Sequence, residues 1–563
     1  MSHKKCIVII GGVAAGASCA TRLRRLNETY EIVIIEKGPH VSFANCGLPY
    51  FVGDVITEAS DLLVATPEMF QQRFNIDVRV NHEVIAINRS DRMITIKNLV
   101  DGEINETCYD ALVLATGSKA IRPPLPGIDL PGIFVLRTIP DSQKLRDAAK
   151  NAQAAIIIGG GFIGLEMAEN LVKLGLAVTM VEMAKQIMPP LDAEMAIYVQ
   201  RSLENNGVLL KLGQAVSAFH QGKNSLRVCS SEGQHMDAEM VLMAIGVVPE
   251  SDLAKQAGLA IGERGGIQVT DSMQTTDQSI WAVGDVIEVN DVVTQAKISL
   301  PLAGPASRQG RIAANSILGS LQANKKKTLK FRGVQGTAVC QVFGTTIAMT
   351  GATEKALARA GVSDYQVIYL HPGDHVDYFP GARPVHLKLI FDQNSGKILG
   401  AQAIGEGGVA RRIDVIAMAI QMEATVFDLE ESELCYAPQF GAAKDPVNMA
   451  GMIASNVLRG DLEIANWHQL SDANHYLLDV RTIKEYNSSS IDNAIHIPME
   501  QLRDRIHELP RDKEIWAICG VGQRAYYATR LLMQHDIKVK LLSGGMATYQ
   551  VIKLSAAIQK LQF

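Results

Sequence analysis

Short apolar runs closed by glycine set the rhythm of this chain. Cys6-Ile7-Val8-Ile9-Ile10 shows no polar alternation, as expected of a strand buried on both faces in a parallel sheet. A glycine turn follows, then a helix from about Ala14 to Leu26, then a second apolar run at 32–35 that stops at Glu36. Strand, turn, helix and strand make one βαβ unit of roughly 30 residues. The same order returns at 155–182: a strand at 155–158, a glycine turn, a helix to about Leu174, a strand at 177–181, then Glu182. Two copies predict two dinucleotide-binding domains. Residues 112–117 and 241–246 predict strands that run into tight turns, and 280–285 predicts a buried strand ending in Gly284-Asp285. Further on, strands such as 385–391 and a helix at 413–422 form a third region. A polar stretch at 460–474 predicts a linker. Strand and helix then alternate again at 476–480, 502–509, 514–519, 525–534 and 539–542, which predicts a small separate α/β domain.

Composition narrows the picture. The 563 residues exceed one core, and at roughly 100–200 residues per domain three to five domains are expected. A hydrophobic content of 47% fits a globular protein. The formal net charge of -5 speaks against nucleic-acid binding, so any anion site must be local. No uninterrupted apolar run approaches the ~18–20 residues of a membrane span. Lys4-Lys5 and the apolar run behind them mimic a signal peptide, but Gly11, Gly12 and Gly16 suit a strand–turn–helix better. Eight scattered cysteines, with no C-x-x-C pair and no Cys/His cluster of zinc spacing, predict a reducing, cytoplasmic compartment and no metal site. Lys325-Lys326-Lys327 reads as a solvated domain boundary.

The turns carry the chemistry. Gly159-Gly160-Gly161-Phe162-Ile163-Gly164 is a full G-x-G-x-x-G between strand and helix. Gly159, Gly161 and Gly164 permit the tight turn, the approach of a pyrophosphate and close helix packing, while Phe162 and Ile163 open the helix whose N-terminus attracts phosphate. Glu182 lies 18 residues after Gly164, placed to bind both ribose hydroxyls and repel a 2′-phosphate. NADH is therefore expected over NADPH, a preference that Lys185 weakens. The first turn, Gly11-Gly12-Val13-Ala14-Ala15-Gly16, has Val13 where the middle glycine would stand, yet Glu36 lies 20 residues after Gly16, followed by Lys37. Gly284-Asp285 adds a carboxylate suited to a ribityl chain. Two dinucleotide units with a distal Gly-Asp predict a flavoprotein, with FAD in the first unit and NADH in the second. One cysteine, Cys46, follows the first unit within Ser42-Phe43-Ala44-Asn45-Cys46-Gly47-Leu48-Pro49-Tyr50, and Cys519 sits in a loop near the C-terminus.

On these motifs, residues 1–455 resemble the pyridine-nucleotide flavoprotein disulfide reductases, in the single-cysteine branch of coenzyme A-disulfide reductases, NADH oxidases and NADH peroxidases. Two-cysteine members carry C-x4-C; here Phe51 stands at the second position, so Cys46 must pair with a substrate thiol or with oxygen as a sulfenic acid. Residues 475–563 resemble a rhodanese domain through Leu478-Asp479-Val480-Arg481, Ala494-Ile495-His496-Ile497-Pro498 and Cys519-Gly520-Val521-Gly522-Gln523-Arg524, with Ser489-Ser490-Ile491 departing from a frequent Gly-His-Ile. In that loop, backbone N–H groups are expected to surround Cys519 with Arg524 closing them, a nest that stabilises a thiolate or persulfide. The combination resembles the NADH-dependent persulfide and coenzyme A-disulfide reductases with a C-terminal rhodanese.

The resemblance implies an α/β fold with two Rossmann-like dinucleotide-binding domains, an α+β dimerisation domain and a rhodanese domain. The implied boundaries are 1–115 and 250–325 for FAD, 116–249 for NADH, 326–455 for dimerisation, 456–474 for the linker and 475–563 for the rhodanese. It adds Ser42, Asn45, Thr116, Gly117, Gly246, Pro301 and Ala303 to the cofactor contacts. It implies a coenzyme A site of Ser18, Arg22, Arg25, Ser42, Asn45 and Ser307, with Lys444 from the partner subunit of a homodimer. Arg22 and Arg25 share one helix face, as a phosphate-bearing nucleotide requires. Tyr436 matches a family tyrosine that orients or protonates a leaving thiolate. Tyr378 is followed by Phe379 where a second tyrosine is frequent, and Phe440 also replaces a tyrosine. The implied reaction is NADH-driven reduction of persulfides, polysulfides or coenzyme A disulfide through a Cys46–S–S–CoA mixed disulfide, with Cys519 supplying sulfane sulfur. A lowered Cys46 pKa is expected from the flavin environment and a nearby helix N-terminus. Two other readings compete: an NADH oxidase or peroxidase using a Cys46 sulfenic acid, and a sulfur carrier in which FAD is structural. The small-molecule substrates, a homodimer, and the absence of nucleic-acid or membrane partners complete these expectations.

Overall fold

The protein is described by a computed structural model covering residues 4–322, 329–465, 467–470 and 475–560. The Lys325-Lys327 boundary and the last residues of the expected linker lie outside the described residues. The chain forms two compact units, 1–183 with 207–334, and 184–206 with 335–563.

The first unit contains both expected βαβ copies. Cys6–Ile10, Ala14–Leu26 and Glu31–Ile35 form the first. Its five-stranded parallel sheet runs Ile280–Ala282, Ala111–Leu114, Cys6–Ile10, Glu31–Ile35, Asp77–Arg79, with Cys6 opposite Glu31 and Ile10 opposite Ile35. The uninterrupted apolar runs follow from burial on both faces: Ile7, Val8, Ile9 and Ile32 to Ile35 are all essentially inaccessible. The second sheet is again five-stranded, in the order Leu209–Leu212, Ala177–Glu182, Ala154–Ile158, Met240–Met243, Ile133–Phe134. In each sheet the glycine turn leaves the carboxyl end of the central strand, where open α/β sheets bind ligands. Among the described residues no helix is long and apolar enough to cross a membrane.

The second unit joins an antiparallel sheet, Ala338–Val342, Thr345–Gly351, Ile398–Gly405, Val385–Asp392, Tyr365–Leu370, to a parallel one, Ile464–Ala465, Val539–Leu542, Glu514–Ile518, His475–Asp479, Ile495–His496. Two features differ from the sequence reading. Ile464–Ala465 pairs with Leu541 and Leu542 inside the stretch expected to be linker, because a two-residue edge strand leaves no periodic signal. The helix Ala193–Asn205, expected within the NADH-binding segment, packs instead on the second unit's C-terminal helix Gly545–Lys560.

A buried charge cluster anchors that helix. Lys388 is fully buried, and its ammonium lies 2.8 Å from Asp192, 2.5 Å from Glu194 and 2.5 Å from Glu354. Burial alone would lower the Lys388 pKa; the surrounding Tyr369 and carboxylates reverse this and raise it well above the usual lysine range.

The rhodanese-like sheet is seated on the antiparallel one. Tyr369 N–H donates to Ser543 Oγ at 2.9 Å, and His371 Nε2 shares a hydrogen bond of 2.8 Å with Thr548 Oγ1. His371 Nδ1 meets His386 Nδ1 at 2.9 Å, and His386 stacks on Tyr198 at 3.9 Å. Burial lowers His371 to about 3, helped by His386, and His386 to about 4. The unfolded chain, titrating near 6.5, then binds these protons before the folded one does. The stabilisation is therefore complete above pH 6.5 and is lost as pH falls towards 4 and 3, at roughly 1 kcal/mol per histidine by pH 5.5. Urea midpoints of the second unit, followed by tryptophan fluorescence, should drop over this window, and the drop should be smaller in His386→Asn.

Candidate active site

The first glycine turn is shaped by contact. A Cβ on Gly11, whose φ is +96°, would strike the Ala115 carbonyl, and one on Gly16 would strike the Gly11 carbonyl. Gly12 N–H donates to Glu36 Oε2 at 2.8 Å and Gly38 N–H to Glu36 Oε1 at 2.9 Å, which fastens the acid beside the turn. Burial raises the Glu36 pKa against these bonds. Gly284 approaches Ala15, so that Asp285 sits at the strand end facing the same turn; Ser118 Oγ donates to Asp285 at 3.0 Å. Thr116 and Gly117 bond to Glu250 through Oγ1 (2.8 Å) and the carbonyl (2.9 Å). Lys37 pairs with Glu83 at 2.8 Å, and Pro301 and Ala303 are exposed where the helix Ala303–Gln322 begins.

The second turn repeats the design. Cβ atoms on Gly159 and Gly164 would meet the Ala244 and Gly159 carbonyls, whereas one on Gly161 would project into open space. That empty cradle lies at the start of the helix Phe162–Lys173, whose first residues Phe162 and Ile163 present their N–H groups. Gly160 N–H donates to Glu182 Oε2 at 2.7 Å, holding the acid at the edge of the cradle, and Gly246 turns the neighbouring strand with φ +108°. Both turns thus fit a dinucleotide, with a carboxylate beside each for ribose hydroxyls.

Cys46 is exposed, in the single turn Asn45–Gly47 that leads into the short helix Leu48–Val52. Ser42, in the left-handed region at φ 47°, bends the chain into that turn, and its N–H donates to Gly12 O at 2.9 Å, tying the cysteine loop to the first glycine turn. The short helix packs on Phe162–Lys173, which follows the second turn, so the thiol lies between the two nucleotide units. Phe51 is buried beneath the Arg146 guanidinium, 4.5 Å away, and Cys46 forms no disulfide.

Three residues that sequence reasoning missed complete this surrounding. Arg137 donates through Nη1 to the Asn45 amide oxygen at 2.9 Å, through Nε to Ser118 O at 2.9 Å, and approaches Asp285 at 3.5 Å, linking the cysteine loop to the strand-end carboxylate. Tyr50 donates to Glu166 at 3.3 Å, and burial pushes the Glu166 carboxyl up to about 7. The spacing of Glu166, two residues past Gly164 on an otherwise apolar stretch, was the available signal. The protein groups around the Cys46 thiol act in both directions. Although the side chain is exposed, the protein around the sulfur desolvates it, and that raises its pKa; Glu166 and Asp285 raise it further. Its own backbone N–H and Arg137 lower it but do not prevail.

Of the expected coenzyme A residues, Ser18, Arg22 and Arg25 share the helix Ala14–Leu26, and Ser307 is exposed on Ala303–Gln322, the helix packed against it. Arg24 between them is structural, donating to Phe74 O at 2.7 Å and Asn75 O at 2.8 Å. Arg22 Nε is buried without a hydrogen-bond partner, and its pKa is lowered by burial and by the neighbouring charges of Arg311 and Arg25. Three neighbouring guanidinium groups, none of them paired with a carboxylate among the described residues, suit phosphate groups. Arg311, one turn beyond Ser307, was missed.

The second unit holds the remaining candidates. Tyr378 and Tyr436 join hydroxyl to hydroxyl at 2.8 Å, and both are exposed with Phe379 and Phe440. That bond raises the Tyr436 pKa. Lys444 is exposed beside the Asp445 pairs with Arg411 and Arg412. Cys519 is buried at the end of Glu514–Ile518, and its Sγ accepts from Gly522 N–H at 3.2 Å. Arg524 lies near enough to Cys519 for the two charges to interact, and it grips Glu485 with both nitrogens, at 2.8 and 2.6 Å, which holds the Glu485 carboxyl down to about 2. Asp479 and Arg481 form a buried pair at 2.6 Å.

Known proteins align with this arrangement. Family models match for the pyridine nucleotide-disulphide oxidoreductases at residues 5–310, for their dimerisation domain at 337–445 and for a rhodanese-like domain at 465–551. A coenzyme A disulfide reductase of Staphylococcus haemolyticus is 35% identical over 453 residues, covering 80% of this chain and 99% of its own. The crystal structure of reduced Bacillus anthracis CoADR-RHD is 46% identical with a TM-score of 0.94, covering 98% of each chain. That of a NAD-dependent persulfide reductase from A. fulgidus is 37% identical with a TM-score of 0.89, covering 97% of this chain and 100% of the other. The family uses FAD and NAD(H), which the two glycine turns fit, and this chain belongs to the pyridine nucleotide-disulphide oxidoreductases.

Proposed function

We propose that this chain is an NADH-dependent flavoprotein reductase of persulfides and of coenzyme A disulfide, working through a Cys46–S–S–CoA mixed disulfide, with Cys519 delivering sulfane sulfur. The observation that carries the reading is a thiol between two nucleotide turns with buried Phe51 where a partner cysteine would stand, so its partner sulfur comes from substrate. Bound FAD and NADH supply the hydride and the electron pair. The glycine turns and Glu36 and Glu182 hold the two nucleotides. Arg22, Arg25 and Arg311 receive the phosphates of coenzyme A. The free protein keeps a proton on Cys46 Sγ near neutral pH, and Glu166, close enough for its charge to raise that thiol, titrates in the range needed to accept it. Cys46 then attacks the coenzyme A sulfur of the persulfide; the S–S bond breaks and hydrogen sulfide leaves. Reduction of the mixed disulfide returns the thiolate and free coenzyme A. Lys444, Tyr436 and Tyr378 reach this site from a second copy of the chain, a reading supported by the dimerisation-domain match and by their exposure beside Phe379 and Phe440.

The test is anaerobic NADH oxidation by the full chain with coenzyme A persulfide and, separately, coenzyme A disulfide. Turnover with both, and hydrogen sulfide released one per NADH from the persulfide, is expected. NADH consumption that requires oxygen or peroxide and ignores both sulfur compounds would sink the reading.

A further inference from the structure

In the loop from Cys519 to Arg524 the only basic side chain is Arg524. Glu485 takes both of its terminal nitrogens. Glu485 is itself fixed, accepting at Oε2 from Thr482 N–H at 3.0 Å and from Thr482 Oγ1 at 2.7 Å in the capping box of the helix Ile483–Ser488. The ion pair lies against the sulfur loop: a Cβ on Gly520 would stand 3.5 Å from Arg524 Nη2 and 3.7 Å from Glu485 Oε1. Glu500 acts on Arg524 as a second carboxylate. One cation thus faces two carboxylates as well as the Cys519 sulfur, and among the described residues the hydrogen bond that the sulfur accepts comes from the neutral Gly522 N–H.

We propose that Glu485 determines the donor specificity of the Cys519 loop, masking Arg524 so that the loop takes sulfane sulfur from thiol persulfides and turns away oxyanion donors such as thiosulfate. The proposal rests on Cys519 being a sulfur-transfer site. Cys519 thiolate attacks the sulfane sulfur; a Cys519 S–S bond forms, the donor's sulfur–sulfur bond breaks, and the donor leaves as a thiolate or, from thiosulfate, as sulfite. Electrons balance without a further oxidant or reductant. A dianion entering this loop meets two carboxylates and an arginine already occupied, whereas a persulfide on a small neutral thiol brings one charge at most. Removing one carboxylate about 5 Å from a dianion changes its binding by roughly tenfold.

The test uses the full chain without NADH, cyanide as acceptor, thiocyanate as readout, and thiosulfate or 2-hydroxyethyl persulfide as donor, with Cys519→Ser as background. Glu485→Gln keeps a capping-box residue, and fluorescence of Trp467 and Trp516, both in the rhodanese core, reports its fold. Glu485→Gln should raise kcat/KM for thiosulfate about tenfold, less at high salt, and leave the persulfide within about twofold. Glu500→Gln, at an exposed position, should shift the same ratio in the same direction by less. Equal changes for both donors in these variants, or a wild type that already uses thiosulfate as well as the persulfide, would overturn the proposal alone. A wild type that moves sulfur from neither donor above background would overturn the sulfur-transfer reading and the proposal together.

Discussion

Cys46→Ser is expected to lower turnover with coenzyme A persulfide and coenzyme A disulfide by about a thousandfold or more, the scale on which enzymes lose rate with their nucleophile. A serine hydroxyl at this position cannot form the mixed disulfide, and buried Phe51 offers no second sulfur. The nucleotide turns are untouched by the change, so NADH should still bleach the bound flavin. The separation of the two half-reactions is the diagnostic: reduction of the flavin retained, its reoxidation by sulfur substrates lost. Cys519→Ser should keep coenzyme A disulfide reduction near wild type, since that substrate already carries the disulfide. Residual turnover of more than a few per cent in Cys46→Ser would place the chemistry elsewhere.

The second large effect is on stability. Lys388→Met preserves the length of the side chain and removes its charge, leaving Asp192, Glu194 and Glu354 with carboxylate oxygens within 4.8 Å of one another. Breaking a buried pair by removing one partner costs about 3–5 kcal/mol, because the other charge stays buried without compensation. The loss should fall on the second unit, where the start of Ala193–Asn205 and the start of Glu354–Arg359 meet the sheet. Glu194→Gln in the same chain should restore part of it by relieving repulsion. Chemical denaturation followed at Trp467 and Trp516 measures both; a Lys388→Met midpoint unchanged from wild type would contradict the assignment of the cluster as an anchor.

Much of the architecture was legible because parallel strands buried on both faces write continuous apolar runs, and glycine turns with an acid at fixed distance follow them. The helix Ala14–Leu26 and the strand Val539–Leu542 coincide with the sequence reading. What escaped it depends on contacts between distant segments. Arg137 has no motif of its own, and its role exists only where Asn45, Ser118 and Asp285 converge. Arg311 acts through Arg22 across a helix pair. The allegiance of Ala193–Asn205 is set by Lys388, nearly two hundred residues away. At Cys46, the desolvation and the two carboxylates that raise the thiol come from distant segments and are not visible without the fold.

The seat of the rhodanese domain bears on how such fusions can be taken apart. The match to the Staphylococcus haemolyticus enzyme takes in 99% of that protein but 80% of this chain, and the rhodanese-like match occupies 465–551. Here that segment covers Tyr369 and His371, and its final helix packs on Ala193–Asn205. Excision near residue 460 would strip the cover from a buried histidine pair and one flank of the reductase, so the two halves are no longer exchangeable parts. Gene fusion has here become mutual dependence: the C-terminal segment supplies part of the wall on which its neighbour within the second unit rests.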